Sequence, residues 1–265
     1  MFDLVTLGSE KIQLFLLLLV RIGGLMLTAP VFSHNAIPRR IALAMTLGLG
    51  VILLPLFMDT PLPQSKSLVT LVFLCLTEFM VGIMIGLVFN IIFLSIRLGG
   101  AIVGYQIGFA MVNVVDPSSS EQVSVIGEFW FLLATLIFIC LNGHHMIISG
   151  LVDSYRAIPL GSGAPSGAIG EWIIKYSALV FVLGVKFAAP AILTVFLVDV
   201  AMGVLARTMP QMNIFIVGFP VKIYAGLAVI GLSLPAFSYL LTKVTAGLDS
   251  ELAHLMKLYH LAGSV

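Results

Sequence analysis

The stretch from Leu68 to Ile96 reads LVTLVFLCLTEFMVGIMIGLVFNIIFLSI, and its one charged residue is Glu78. A helix that crosses a bilayer needs about 20 mostly apolar residues, and this stretch exceeds that length. Across the whole chain 60% of residues are hydrophobic and 9% are charged, whereas soluble domains are about 45–50% apolar and about 25% charged. Because a water-soluble fold could not bury this much apolar surface, we predict an integral membrane protein.

Similar apolar runs lie on both sides of this stretch. The six candidate spans are residues 12–32, 41–58, 68–96, 123–152, 172–206 and 214–241. The third, fifth and sixth are long enough to be either tilted helices or helical hairpins. No fixed-period repeat and no soluble segment interrupts the pattern, so we predict one all-α membrane domain over residues 1–265.

The basic residues of the loops do not favour one side of a membrane. If alternate loops are assigned to opposite sides, Arg39, Arg40 and Arg97 fall on one side, and Lys11 and Lys66 fall on the other. Multi-pass proteins usually carry an excess of basic residues on the cytoplasmic side. Either the predicted span boundaries are wrong, or some of these helices do not cross the bilayer.

Ionisable residues occur inside the predicted spans. They are Arg21, Glu78, Glu128, Lys186, Asp199 and Lys222. A charge at the centre of a bilayer costs about 2.5–3.5 kcal/mol on insertion scales. Three are basic and three are acidic, so we expect ion pairs between helices or between subunits. A proton or ion pathway and a charged lumen are the alternatives.

Small residues recur at helical spacing along the third span and beyond it. Gly82 and Gly86 share one face, and Gly100, Gly104 and Gly108 continue the four-residue spacing. Glycine lets two helix backbones approach closely, so these faces predict tight helix packing. Prolines within the apolar runs, such as Pro190, Pro220 and Pro235, predict kinks or breaks.

The sequence contains no pattern that indicates an enzyme. HExxH, GxSxG, Walker A and GxGxxG are all absent. Cys75 and Cys140 lie in apolar runs without a CxxC spacing, and we expect both to be small core residues. The formal net charge of +1 provides no electrostatic footprint for nucleic acid. We therefore predict no catalytic site, no cofactor, no metal and no nucleic-acid partner.

The C-terminal residues 243–258 form an amphipathic pattern. Val244, Leu248, Leu252 and Leu255 follow helical spacing, and charged residues occupy the rest of the wheel. We expect a helix that lies on the membrane surface or on a partner protein.

Residues 104–118, GYQIGFAMVNVVDPS, resemble the signature region of the FliR family, the flagellar member of the type III secretion export apparatus. Further blocks agree in the family's order. They are LTAPVF at 27–32, IPRR at 37–40, LNGH at 141–144, LVDS at 151–154 and PQMNIFIVGFP at 210–220. Together the blocks cover most of the chain.

This resemblance implies a fold and a set of partners. It implies a FliP-like part over about residues 1–205, fused to a FliQ-like hairpin and an amphipathic tail over 206–265. The chain would join FliP and FliQ in a closed helical ring with FlhB attached. That ring would belong to the flagellar basal body at the bacterial inner membrane and would lie largely out of the lipid plane, so that the intra-span charges and glycine faces would be buried against protein instead of lipid. Unfolded flagellar subunits would pass through its lumen.

The resemblance also implies a pore plug before the Asp-Pro pair. Its residues here are Gly108, Phe109, Ala110, Met111, Val112, Asn113, Val114 and Val115. Gly100, Gly104, Asp116 and Pro117 would act as hinge or packing residues. Glycines permit tight bends, and apolar side chains such as Met111 can fill a pore. Met111 and Val114 stand where family members often carry Phe.

Two other functions fit parts of the pattern. A homologous injectisome export-gate subunit would share the mechanism but carry a different cargo. A secondary membrane transporter would use broken helices and a midplane site near Asp199 or Lys186. The transporter would be active alone in liposomes, whereas a gate subunit would need FliP and FliQ.

Overall fold

The computed structural model describes residues 2–32, 38–58, 60, 67–109, 124–163, 167–211 and 213–263. Within these ranges the chain forms eight α-helices and one 3-10 turn, Leu54–Phe57. The helices are α1 (Phe2–Thr28), α2 (Arg39–Leu53), α3 (Leu68–Ile107), α4 (Val125–Cys140), α5 (Gly143–Ala157), α6 (Gly167–Thr208), α7 (Ile214–Ala246) and α8 (Leu248–Gly263). The predicted all-α fold is confirmed for this part of the chain.

The helices are long and apolar enough to account for the predicted spans. Five of them could cross a membrane by length and composition, or up to six if the broken pair α4 and α5 counts as one span. The three long runs are continuous helices and not hairpins. α6 continues through Pro190, and α7 continues through Pro220 and Pro235. Each proline removes one helical hydrogen bond, and the neighbouring turns keep the helix intact.

The candidate span 123–152 consists of two helices, because the helix breaks near its middle. α4 ends at Cys140, and α5 begins at Gly143. Between them Asn142 adopts a left-handed backbone with φ 58°, a conformation that asparagine tolerates better than most residues. Leu141 and Asn142 therefore form a turn between the two helices.

The chain divides into two compact units. The first comprises the described parts of Met1–Asn90, Asn142–Lys175 and Gly247–Val265, and the second those of Ile91–Leu141 and Tyr176–Ala246. α3 and α6 contribute residues to both units. The boundary near residue 205 that the family resemblance implies stays a prediction.

The core of the first unit is a close contact between α1 and α3. An added Cβ at Gly82 would collide with the backbone oxygen of Arg21, and one at Gly24 would lie 2.5 Å from that of Phe79. Leu17 and Leu18 of α1 are fully buried beside this contact. The GxxxG face of α3 therefore packs against α1, as small-residue packing predicts.

The core of the second unit is mostly aromatic. Phe93 of α3 makes edge contacts with Phe131 and Phe138 of α4, with ring centroids 5.6 and 5.4 Å apart. Phe237 of α7 lies 5.6 Å from Trp130 and 5.1 Å from Phe187. Edge and tilted ring contacts of this kind are the favoured geometries for buried aromatic pairs. They fix α4, α6 and α7 relative to the end of α3.

The C-terminal helix is amphipathic but begins later than predicted, at Leu248, because Val244 belongs to α7. Its apolar side chains are buried within the first unit, where Leu252 lies against Gly150. The expectation that this face lies on the membrane surface or on a partner is therefore wrong. The periodicity predicted an apolar face but not which surface covers it.

Candidate functional site

The end of α3 is capped at Gly108. This residue has φ +100°, a backbone conformation that residues with a side chain rarely adopt. The Phe109 N–H donates to the Gly104 carbonyl at 3.0 Å, and the Gly108 N–H donates to the Tyr105 carbonyl at 3.2 Å. These two bonds form a Schellman motif, which satisfies the last carbonyls of a helix. The chain therefore leaves α3 in a defined direction at Phe109.

The start of α4 is held on the same turns of α3. The Ser124 hydroxyl accepts from the Gly127 N–H at 3.2 Å, which makes Ser124 the N-cap of α4. The same hydroxyl donates to the Gly100 carbonyl at 3.2 Å. An added Cβ at Gly104 would lie 2.8 Å from the Ser124 oxygen. Only a residue without a side chain fits at Gly104, so the glycine face of α3 is the surface on which the start of α4 packs.

Both flanks of residues 110–123 are thus anchored on the last two turns of α3. One flank is Phe109, at the Schellman cap, and the other is Ser124, bonded to Gly100. Of the predicted plug, Gly108 and Phe109 are placed in this way. Ala110 to Val115, and the predicted hinge residues Asp116 and Pro117, lie outside the described residues.

A second contact fixes the end of α3 against α7. An added Cβ at Gly108 would lie 2.9 Å from the ring of Phe219. Phe219 also lines a cavity of about 280 Å³ between α6 and α7, together with Met202 and Gly203. The cavity includes an ion pair between Lys222 and Asp199, whose side chains are 25% and 46% exposed. Phe219 therefore contacts the end of α3 and also lines the cavity that holds this ion pair.

The predicted charges of the first unit form a buried network. Arg21 and Glu78 are both fully buried, and Arg21 Nε donates to Glu78 Oε2 at 2.5 Å. The other Glu78 oxygen accepts from the Gly161 N–H at 2.7 Å. Arg21 also donates to Ser154 Oγ at 3.3 Å and to the Ile158 carbonyl at 3.1 Å. The pair therefore links α1 and α3 to the end of α5 and the loop after it.

An aromatic ring completes this network. The Arg21 guanidinium lies 4.5 Å from the centroid of the Tyr155 ring, a cation–π contact. The Tyr155 hydroxyl donates to the Leu18 carbonyl at 3.0 Å. A buried ion pair is stable only when its remaining donors and acceptors are also satisfied. The network meets that condition, and it indicates a structural role for these two charges.

The other predicted charges behave differently from one another. Lys222 and Asp199 lie together, as described above, whereas Glu128 pairs with Arg97 at 3.4 Å on the partly exposed side of α4. The Arg97 guanidinium also covers the Phe131 ring at 3.9 Å. Lys186 is exposed near the middle of α6, and it has no ion-pair partner among the residues that the structure describes.

Sequence reasoning missed two functional positions at this site. Ser124 was not predicted as an N-cap, since the SSSE sequence at residues 118–121 fits the spacing of a capping box and competes with it as a helix start; these four residues lie outside the described ones. The signal for Ser124 was available, since it directly precedes the apolar run of α4. No sequence pattern predicts the contact of Phe219 with Gly108, because that contact depends on which helix packs against the end of α3. Across the described residues no cluster of three or more His, Cys, Asp or Glu side chains could hold a metal ion.

Comparison with known proteins adds information that the geometry lacks. Residues 12–248 match the family described as "Bacterial export proteins, family 1". The chain is 31% identical to the flagellar biosynthetic protein FliR of Bacillus subtilis (strain 168), over 79% of this chain and 81% of that protein. It is 33% identical to the same-named protein of Pectobacterium carotovorum, over 82% of both chains. The corresponding protein of Escherichia coli (strain K12) is 28% identical over 90% of this chain and 89% of that protein.

Proposed function

The chain belongs to the FliR family of bacterial export proteins, and from this premise we propose that it acts as a passive gate for unfolded flagellar subunits. It is a multi-pass protein of the bacterial inner membrane at the flagellar base, and it serves the flagellar export gate. The gate segment, defined as residues Gly108–Val115, closes the lumen until a substrate arrives. The gate segment blocks ions and small solutes, and the whole complex forms the channel through which the substrate passes.

The anchoring of both flanks on α3 is the observation that carries this proposal. Phe109 is bonded to Gly104, and Ser124 is bonded to Gly100, so the intervening residues begin and end at one place. A segment held at both ends can yield to a passing chain and then return, whereas one held at one end could be swept aside. This arrangement supports a gate that opens without loss of its anchors.

The composition of the segment supports a seal against ions. Met111, Val112 and Val114 are apolar, and the segment contains no charged residue before Asp116. A narrow apolar constriction excludes water and ions because neither finds hydrogen-bond partners there. Methionine is unbranched and flexible, so Met111 can adjust its shape around chains of different sequence. The same segment can therefore exclude ions in the closed state and admit chains of different sequence in the open state.

The partners of the gate are also part of the proposal. FliP and FliQ complete the ring, FlhB attaches to it, and unfolded export substrates cross it. Large apolar side chains remain exposed along α2, α6 and α7, and they need cover from other subunits or from lipid. The chain supplies a passage and no catalysis, and the energy comes from the proton gradient and a separate ATPase.

A deletion of residues 108–114 tests the gate directly. We expect the deletion to leave an open pathway, which lowers the membrane potential and admits small solutes when the complete complex is expressed. Replacing the same residues with a Gly-Ser segment of equal length should also leak, because the length is kept and the apolar seal is lost. A Lys257→Gln substitution on the exposed side of α8 is the control for expression level. An unchanged leak in both gate variants would refute the plug.

The transporter alternative draws support from one observation, the ion-paired cavity between α6 and α7 beside Pro220. It predicts solute uptake by this chain alone in liposomes, and the gate predicts none without FliP and FliQ. The injectisome alternative finds no support in the relatives compared, which are named as flagellar proteins.

A further inference from the structure

Lys186 differs from the other ionisable residues inside the predicted spans. Arg21, Glu78, Asp199 and Lys222 all have ion partners within their own unit. Lys186 is exposed and has none in the described part of the chain. It lies roughly 20 residues from either end of a 42-residue helix, so about 30 Å of helix extends on each side. Its ammonium group therefore needs a counter-charge from outside the described part of this chain.

The surroundings of Lys186 are apolar and exposed. One turn earlier Val182 is 49% exposed, and two turns later Leu193 is 60% exposed. The opposite side of the helix is buried in the second unit, where Phe187 and Ala191 are 4% and 1% exposed. The α6 docking face, defined as Val182, Lys186, Ala189 and Leu193, is thus an apolar strip with one cation in its middle.

Lipid alone does not satisfy this face. If Lys186 lies at the headgroup boundary, the exposed side chains on one side of it, such as Val182, are outside the hydrocarbon. If those side chains lie in the hydrocarbon, the Lys186 side chain must extend to the headgroups or place its ammonium group in the hydrocarbon at a considerable cost. A protein surface that is apolar on both sides of one carboxylate satisfies both requirements.

The backbone at the same position adds a second polar group. Pro190 has no N–H, so it cannot donate the helical hydrogen bond to the carbonyl of Lys186, four residues earlier. Polar backbone at membrane depth is tolerated where protein covers it and not where lipid does. The small side chain of Ala189 lies one turn from Lys186 and leaves room for a close helix.

We propose that the α6 docking face binds an apolar helix of another export-apparatus subunit, and that this helix presents an Asp or Glu carboxylate to Lys186. The inference rests on the proposed function in one respect, that the chain works inside a complex. Charge complementarity selects the occupant, because a helix without a carboxylate leaves the lysine unpaired. A second copy of this chain and a lipid headgroup are the other occupants that the experiment distinguishes.

Charge reversal in the co-expressed complex tests the pairing. We expect Lys186→Glu to lower the amount of co-purified apparatus subunits at least tenfold, since two carboxylates then face each other. Lys186→Arg keeps the positive charge and should keep the complex. Lys175→Glu is the matched control, because this exposed lysine lies about three turns earlier on the same helix. Co-purification of Lys186→Glu within twofold of the wild type would overturn the proposal.

Photo-cross-linking tests the occupant without altering Lys186. A photoreactive residue replaces Val182 or Leu193 in the native complex, and mass spectrometry locates the cross-linked position. We expect the cross-linked position to lie in another apparatus subunit, within one helical turn of an Asp or Glu in an apolar run. Changing that acidic residue to lysine should restore co-purification of the Lys186→Glu chain with the complex. Cross-links to lipid, to a second copy of this chain or to a segment without a carboxylate would overturn the docking face. A wild-type chain that co-purifies with no other subunit would overturn the proposed function as well.

Discussion

Replacing Arg21 with methionine should destabilise the first unit strongly. Methionine fills a similar volume but cannot pair with Glu78, whose side chain is fully buried. The carboxylate would then keep the Gly161 N–H as a partner and lose its counter-charge. Breaking one side of a buried ion pair costs about 3–5 kcal/mol, because an uncompensated charge remains in the interior.

The double variant Arg21→Met, Glu78→Met separates the charge effect from the packing effect. With both charges removed, the two acceptors that Arg21 satisfied, Ser154 Oγ and the Ile158 carbonyl, lose their donor as in the single variant, and the Gly161 N–H also loses its Glu78 acceptor. An unsatisfied buried acceptor costs about 1–3 kcal/mol. We therefore expect the double variant to be more stable than Arg21→Met alone, by roughly 1–3 kcal/mol, which lies within the usual range of coupling energies.

Thermal unfolding of the purified complex measures these differences. A change of 1 kcal/mol shifts the midpoint of a domain of this size by about 2–4 °C, so Arg21→Met should lower it by about 6–20 °C. Lys175→Met is the control, since it removes an ion pair with Glu171 whose side chains are 80% and 76% exposed and should leave the midpoint unchanged. The reasoning is wrong if Arg21→Met behaves like this control, or if the double variant is no more stable than the single one.

Two further substitutions probe the second unit. Gly108→Ala should raise the ion leak of the complex, because a side chain at φ +100° costs about 1–3 kcal/mol and would also press on the Phe219 ring. Adding Phe219→Ala should remove the clash with the ring but not the backbone strain. A leak equal to that of the wild type in Gly108→Ala would contradict this prediction. Lys222→Met should reduce the yield of folded complex, measured by size-exclusion chromatography. The reduction should be smaller than that caused by Arg21→Met, because Asp199 is 46% exposed and water can solvate its charge. Asp199→Asn in the same chain should recover part of the yield.

The longest helices, α3, α6 and α7, could be predicted from the sequence because each contains an apolar run longer than a bilayer requires. The same runs did not predict which helices touch. Arg21 and Glu78 are 57 residues apart, and their pairing follows from the contact between α1 and α3, which no periodicity encodes. The face of Gly82 was predicted as a packing surface, and its partner Gly24 was not. Local pattern therefore determines elements, and tertiary packing determines neighbours.

The errors at element ends have separate physical causes. The prolines inside the apolar runs predicted kinks or breaks, and the structure shows no break at Pro190, Pro220 or Pro235, because one lost hydrogen bond does not end a long helix. The candidate span 123–152 was predicted from its apolar side chains alone, and these do not reveal the left-handed residue Asn142 that divides it into two helices. The C-terminal helix was predicted as amphipathic, but its cover by the first unit depends on Gly150, which lies far away in the sequence.

The placement of the gate segment depends more on the family resemblance than on composition. Its two anchors, the cap at Gly108 and the N-cap at Ser124, could each be found by local rules for helix ends. That both lie on the same turns of α3 requires the glycines at 100 and 104 to meet α4. This contact is what makes a stretch of apolar sequence a candidate gate and not an ordinary loop.

The amount of flagellar protein in the culture medium tests the central claim most directly. The gene that encodes the chain is deleted, and exported hook and filament subunits are quantified in the medium while their cellular synthesis is maintained. The account predicts that export stops without the chain and returns when the wild-type chain is supplied. Export that continues at the wild-type rate without the chain would contradict it.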